Sequence, residues 1–189
     1  LMRGLRVALA TDERGQGFGD RLPQVDVHRI ASGGVAGKGL VAKLRNLLRL
    51  GVGVLQSRRL LRRLDPAVVV GFGGYPSVPP VWAAQREEVP TVLHEQNAVM
   101  GRANRFLASR VTAIATGFAG VTDKDKALAI KTTCIGNPLR PAVIEAAKIP
   151  YPPLEPHGPL KLLVFGGSQG ASIMAEIVSR RRSRPEKGA

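Results

Sequence analysis

Short apolar runs, each the length of a strand and each cut off by a turn signal, alternate with segments of helical period along most of this chain. No other feature restricts the fold as strongly. Six runs stand out: residues 6–11 (RVALAT), 25–30 (VDVHRI), 67–72 (AVVVGF), 91–94 (TVLH), 111–116 (VTAIAT) and 161–165 (KLLVF). A weaker one, 132–135, precedes Gly136-Asn137-Pro138. The β-branched, unbroken character of runs such as VVV predicts strands buried on both faces. Helical patterns fill the intervals at residues 40–64, 78–86, 101–109 and 171–182. Strand–helix alternation of this kind predicts an α/β fold, a parallel sheet with helices on both faces.

Residues 149–159 (IPYPPLEPHGP) hold five prolines, which continue neither a helix nor a central strand, and so predict a linker. The expected organisation is a first Rossmann-like domain over 1–148, the linker, the start of a second domain over 160–179, and an atypical basic tail at 180–189. No apolar run approaches the roughly 18 residues of a membrane-spanning helix, and the opening residues lack a signal-peptide pattern. One cysteine, Cys134, excludes a disulfide scaffold and a four-ligand zinc site. These features together predict a soluble intracellular chain.

The formal net charge of +14 is the compositional outlier, and it is localised. Between Lys38 and Arg63 lie eight cations and no acid, and the last ten residues add five cations against one acid. Nucleic acid, anionic lipid and a phosphorylated ligand are the partners such charge allows. Nucleic acid is disfavoured, because only eight aromatics exist and none interleaves with the arginine runs. From residue 40 onward, Leu40, Leu44, Leu47 and Leu48 fall on one helical face with Arg45 and Arg49 opposite. That pattern fits contact with an anionic membrane surface, or equally a core-facing helix whose arginines are solvated.

Two glycine-rich turns follow strands and open helices: Gly71-Phe72-Gly73-Gly74-Tyr75-Pro76-Ser77 and Gly166-Gly167-Ser168-Gln169-Gly170-Ala171. Backbone N–H groups and a helix N-terminus at such turns favour phosphate. Neither turn has the sequence of a P-loop ATPase or a complete dinucleotide fingerprint. His94-Glu95-Gln96-Asn97 ends the TVLH run, at the strand end where parallel sheets bind ligands. Those four groups offer a base, a carboxylate and two amides, or more simply a helix cap with solvated neighbours. Arg140, after Gly136-Asn137-Pro138-Leu139, is able to clamp a diphosphate with its fork of donors. Asp123-Lys124-Asp125 imitates a metal-binding pair but lies in a polar loop, and reads as a solvated turn.

Four segments occur in one order and spacing: VVVGFGGYPSVPP, LHEQNAVMGRANRFLA, IGNPLRP and LLVFGGSQGA. Together they resemble the MurG family of bacterial peptidoglycan glycosyltransferases, family 28, over residues 6–178. The resemblance implies the GT-B fold, two Rossmann-like domains facing a cleft. It further implies inverting transfer of N-acetylglucosamine from UDP-N-acetylglucosamine to lipid I, the undecaprenyl-pyrophosphoryl-MurNAc-pentapeptide, at the cytoplasmic face of the bacterial inner membrane. Carried over by motif, Asn97 binds the donor sugar, Arg140 the diphosphate, and Ser168 the UDP phosphates. Gly166, Gly167, Gln169 and Gly170 shape the last loop, and His94 and Glu95 stand near the acceptor as catalytic candidates. No metal and no cofactor is implied. The family's first strand and its GGTGGH-type loop have no counterpart here. Loss of that central strand is expected to leave a gap between two halves of the first sheet. The family also continues through a second domain where this chain turns into SRRRSRPEKGA, so both ends read as incomplete and activity of the chain alone is not expected. The alternatives are another GT-B lipid glycosyltransferase, or a basic remnant that binds nucleic acid or membrane.

Overall fold

The structure, a computed structural model, describes residues 4–15, 24–33 and 40–150. The strand expected at 161–165, the turn carrying Ser168, Gly166, Gly167, Gln169 and Gly170, the helix at 171–182 and the basic tail lie outside the described residues, as does all of the linker after Pro150. By internal contacts the chain divides into two units, Leu1–Pro138 and Leu139–Ala189.

The described residues of the first unit form six strands: β1 (Ala8–Thr11), β2 (Asp26–Arg29), β3 (Val69–Gly71), β4 (Thr91–Glu95), β5 (Ala113–Thr116) and β6 (Thr132–Cys134). Four helices accompany them: α1 (Leu40–Leu64), α2 (Val78–Arg86), α3 (Arg102–Leu107) and α4 (Lys126–Ala129). Every pairing among the described strands is parallel, and in the larger sheet helices make the crossovers. The strands form two separate sheets, β1-β2 and β3-β4-β5-β6. Among the described residues no ladder joins β1 to β3.

Packing follows from the apolar runs. Val78 and Val81 of α2, Leu93 of β4, Ala103 and Leu107 of α3, Val111 and Ile114 form one buried cluster with Met100 and Ala108. Leu61 of α1 meets Ala83 and Ala84 of α2 in a second. Small residues at 83 and 84 let the two helices approach closely, and α1 packs chiefly on α2. The central strand β4 reads buried at four of five positions, as a strand covered on both faces should.

Helix α1 exposes much of its apolar surface. Leu44, Leu47, Leu48, Val52 and Leu55 are all exposed, Leu47 by 64%. Arg45 and Arg49 are exposed as well, so in this stretch burial does not separate a leucine face from an arginine face. No described helix is long and apolar enough to cross a membrane. In the second unit the described part is α5 (Pro141–Ala146), which begins on a proline already shaped for a first helical turn.

Candidate functional site

Parallel strands deliver their carboxyl ends to one edge of the sheet, and in β3–β6 each end carries a polar or glycine-rich loop. The loops are Phe72–Ser77 after β3, Gln96–Gly101 after β4, Gly117 onward after β5, and Ile135–Asn137 after β6. Three of the residues singled out from sequence, His94, Glu95 and Asn97, meet here.

Glu95 is the hub. Its side chain is buried, with 2% of its surface exposed. Oε1 accepts from the Asn97 backbone N–H (3.0 Å) and the Asn97 side-chain amide (2.8 Å). Oε2 accepts from the Gly101 N–H (2.9 Å) and the Asn104 Nδ2 (2.8 Å). Burial pushes the carboxyl up. The hydrogen bonds from Gly101, Asn97 and Asn104 together outweigh it, and the net shift is downward. Glu95 is therefore an ionised carboxylate whose two oxygens are both engaged in holding the loop that leads into α3. Such a group is shielded from a substrate hydroxyl and weakened as a base.

His94 is equally withdrawn, at 4% exposure. Its Nε2 lies 3.1 Å from the carbonyl of Gly136. A carbonyl only accepts, so Nε2 carries a proton in this contact. Nδ1 is buried and has no hydrogen-bond partner among the described residues. The ring also packs against Phe72, with centroids 5.7 Å apart. His94 thus joins the loops after β3 and β6. A second latch lies beside it, where Asn137 Nδ2 donates to the Gln96 carbonyl at 3.1 Å. Gly117 makes room for that latch, since a Cβ there would overlap Asn137 Oδ1. His94 and Glu95, the catalytic candidates read from sequence, are both buried here, the Glu95 oxygens engaged by Asn97, Gly101 and Asn104 and His94 Nδ1 turned away from solvent.

Asn97 differs. It is exposed, and its side chain is oriented by the donation to Glu95, leaving an amide oxygen that accepts no hydrogen bond among the described residues. Arg140 lies in the second unit as the cap of α5, with extended backbone (φ −68°, ψ 142°) and an exposed side chain. Ser168 and its neighbouring glycines lie outside the described residues.

Asn104 was not among the residues expected from sequence. It is 2% exposed and bonds Glu95 Oε2 and, more weakly, the His94 carbonyl at 3.4 Å. It also abuts the glycine-rich turn: Gly73 has φ +82°, and a Cβ there would stand 3.2 Å from Asn104 Nδ2. The sequence signal was present, an asparagine between Ala103 and Leu107 on the apolar side of a short helix, but only packing reveals its partner. Asp125, one half of the imitation metal pair, instead caps α4, accepting from Ala127 N (3.0 Å) and Leu128 N (3.3 Å).

Comparison with known proteins places these loops in a family. Residues 1–116 match the glycosyltransferase family 28 N-terminal domain. A Rhodospirillum centenum protein named UDP-N-acetylglucosamine--N-acetylmuramyl-(pentapeptide) pyrophosphoryl-undecaprenol N-acetylglucosamine transferase is 55% identical over 183 residues, 95% of this chain and 47% of that protein. A Methylobacterium radiotolerans protein of the same name is 54% identical over 185 residues, 96% of this chain and 49% of its own length. The chain spans about half the length of the curated relatives it matches. Among solved structures, the crystal structure of Acinetobacter baumannii MurG aligns with a TM-score of 0.57 at 21% identity, over 75% of this chain and 40% of that one. That likeness is one of fold, and it agrees with the parallel α/β architecture expected from sequence.

Proposed function

The chain belongs to glycosyltransferase family 28, and on that premise we propose that it forms part of an enzyme transferring N-acetylglucosamine from UDP-N-acetylglucosamine to lipid I. The observation that carries this reading is the convergence of HEQN, the glycine-rich turn and the Gly136-Asn137 turn on one strand edge, tied by Glu95, Asn104 and His94. In the reaction the muramyl 4-hydroxyl attacks the anomeric carbon, the anomeric C–O bond breaks with its electron pair going to the β-phosphate oxygen of the departing UDP, and the hydroxyl proton passes to water. The configuration at that carbon inverts.

Asn97 binds the donor sugar, Arg140 the diphosphate through its paired N–H donors, and the turn carrying Ser168 the UDP phosphates. Glu95 and His94 are positioning residues in this reading. Glu95 orients Asn97, and His94 fixes the Gly136 turn, so that the site is held in place before substrate arrives. The domain over 1–148 takes the acceptor side, and the residues after the 149–159 linker begin the donor side. Contact with an anionic membrane surface, through the exposed leucines and the basic run of α1, brings the site to its lipid-linked acceptor. This makes the protein peripheral to the membrane. Transfer proceeds without a metal or cofactor.

A chimera tests the reading. Residues 4–150 replace the aligned stretch of the R. centenum relative, and transfer of labelled N-acetylglucosamine to lipid I is measured with and without excess EDTA. Transfer that survives EDTA is the expected result. A folded chimera that binds UDP-N-acetylglucosamine but transfers nothing would overturn the assignment of this segment, and transfer restored only by magnesium or manganese would overturn the metal-free step.

A further inference from the structure

A cavity of about 420 Å³ opens between β2 and α1, on the two-stranded sheet and apart from the strand-end loops of β3–β6. Its polar wall is made of His28 and Arg29 from the strand and Gln56, Arg59 and Arg63 from the helix, and Val27, Ile30 and Leu60 form its apolar part. No carboxylate is among these lining residues. Hydrogen bonding sharpens the asymmetry. Arg63 Nη2 lies 3.3 Å from His28 Nδ1, and because a guanidinium only donates, Nδ1 is the acceptor and the neutral ring carries its proton on Nε2. That Nε2 is buried and has no partner among the described residues. Gln56 uses its oxygen to accept from the Ala31 N–H at 2.8 Å, which leaves its amide nitrogen as a donor.

Helix α1 sorts its cations by face. Arg58 and Arg62, one turn apart, both reach Glu87. Arg59 and Arg63, the next pair one turn apart, line the cavity instead, and no carboxylate is paired with either among the described residues. Two guanidinium groups at this spacing repel each other, and an anion between them removes the repulsion. Among the described residues the wall therefore offers donors and positive charge, and no carboxylate lines it. We propose that this cavity is an oxyanion site that takes a phosphate group, with Arg59 and Arg63 as the paired donors and Gln56 beside them.

The bearer of the phosphate is either a soluble phosphate ester or the headgroup of an anionic lipid, and the experiment separates these. Inorganic phosphate and glycerol phosphate are titrated against residues 1–189 while the arginine side-chain N–H signals are followed by NMR. Saturable shifts at Arg59 and Arg63 are expected, with affinity reduced at least tenfold in R59A/R63A and partly retained in R59K/R63K. The control R110A/K124A removes the same charge at exposed positions outside the cavity, and should bind phosphate like the parent chain. Circular dichroism confirms that each variant keeps its fold. Absence of saturable binding, or equal weakening by R59A/R63A and R110A/K124A, overturns the proposal, because either outcome reduces the effect to the diffuse field of a basic chain. Phosphatidylglycerol and phosphatidylcholine vesicles then identify the source. If R59A/R63A lowers binding to phosphatidylglycerol in the same proportion as binding to phosphate, the ligand is a headgroup. If it lowers only phosphate binding, the ligand is soluble.

Discussion

Four donors converge on the Glu95 carboxylate, two from backbone and two from asparagine side chains, and each is matched to one lone pair. Glutamine at this position would turn an NH₂ toward two of those donors. The expected cost is roughly 1–3 kcal/mol for each donor left unpaired. Glu95 titrates below its ordinary value of 4.5 in the folded chain. Its contribution is therefore fully present above about pH 4.5 and is lost as pH falls through the folded value. Denaturant melts of the parent and Glu95→Gln across that range check this: the stability gap should shrink on acidification, and a gap independent of pH would contradict the charge assignment. Asn104→Asp places a second carboxylate against Glu95 in a buried setting, so it should destabilise at neutral pH and recover as pH drops. Arg140→Ala, made in the chimera, should weaken UDP-N-acetylglucosamine binding by about 1.5–3 kcal/mol, with Arg140→Lys recovering only part of it. Titration calorimetry decides, and unchanged affinity in both variants would leave Arg140 as an exposed cap residue.

At the scale of the element, α1 carries two kinds of leucine. Leu61 is buried against Ala83 and Ala84, whereas Leu47, Leu48 and Leu55 face solvent. Leu61→Ala should cost about 2–4 kcal/mol through lost burial and the cavity left behind. Replacing Leu47, Leu48 and Leu55 by Gln should change stability by no more than about 0.5 kcal/mol each, since these side chains are already in water. The same triple change should reduce sedimentation with anionic vesicles, because it removes the apolar surface available for insertion. Equal vesicle binding by the parent and the triple variant would return α1 to the role of a core helix with solvated arginines.

Across the whole molecule, the division of strands between two sheets sets the order of stability. Strand β4 has a neighbour on each side and an almost wholly buried face pattern, while β1 and β2, among the described residues, pair only with each other and are partly exposed. Amide hydrogen exchange should show β4 and β5 slowest and β1 and β2 faster by at least tenfold. Uniform protection would mean that the two sheets open as one unit. The exposed valines at 68 and 70 lie beside and within β3, an edge strand of the larger sheet among the described residues, and such an edge invites pairing with other chains. Light scattering at rising concentration should detect association, and Val70→Lys should suppress it.

Much of this architecture was legible in the linear pattern, because strand and helix in a parallel α/β fold are written in local periods. The boundaries of α1 and α2 coincide with their apolar periodicity, and all six described strands lie where the short apolar runs predict them. Short helices such as α4 went unread, since four residues hold too little periodicity and the decisive signal is a single cap, Asp125. The resemblance carried by four ordered motifs pointed to the family and brought His94, Glu95 and Asn97 forward as a group. Their division of labour was not readable in that way. Whether a carboxylate acts as base or anchor depends on which donors surround it, and those of Glu95 come from residues two to nine positions away, on a turn and a helix that only folding brings into place. The cavity beside α1 is longer-range still: His28 and Arg63 are 35 residues apart, and neighbouring arginines on one helix differ in their partners solely by the face they occupy. Charge and period are properties of the sequence, whereas the pairing of each buried polar atom is decided by tertiary packing, where an unmatched donor or acceptor has no water to turn to.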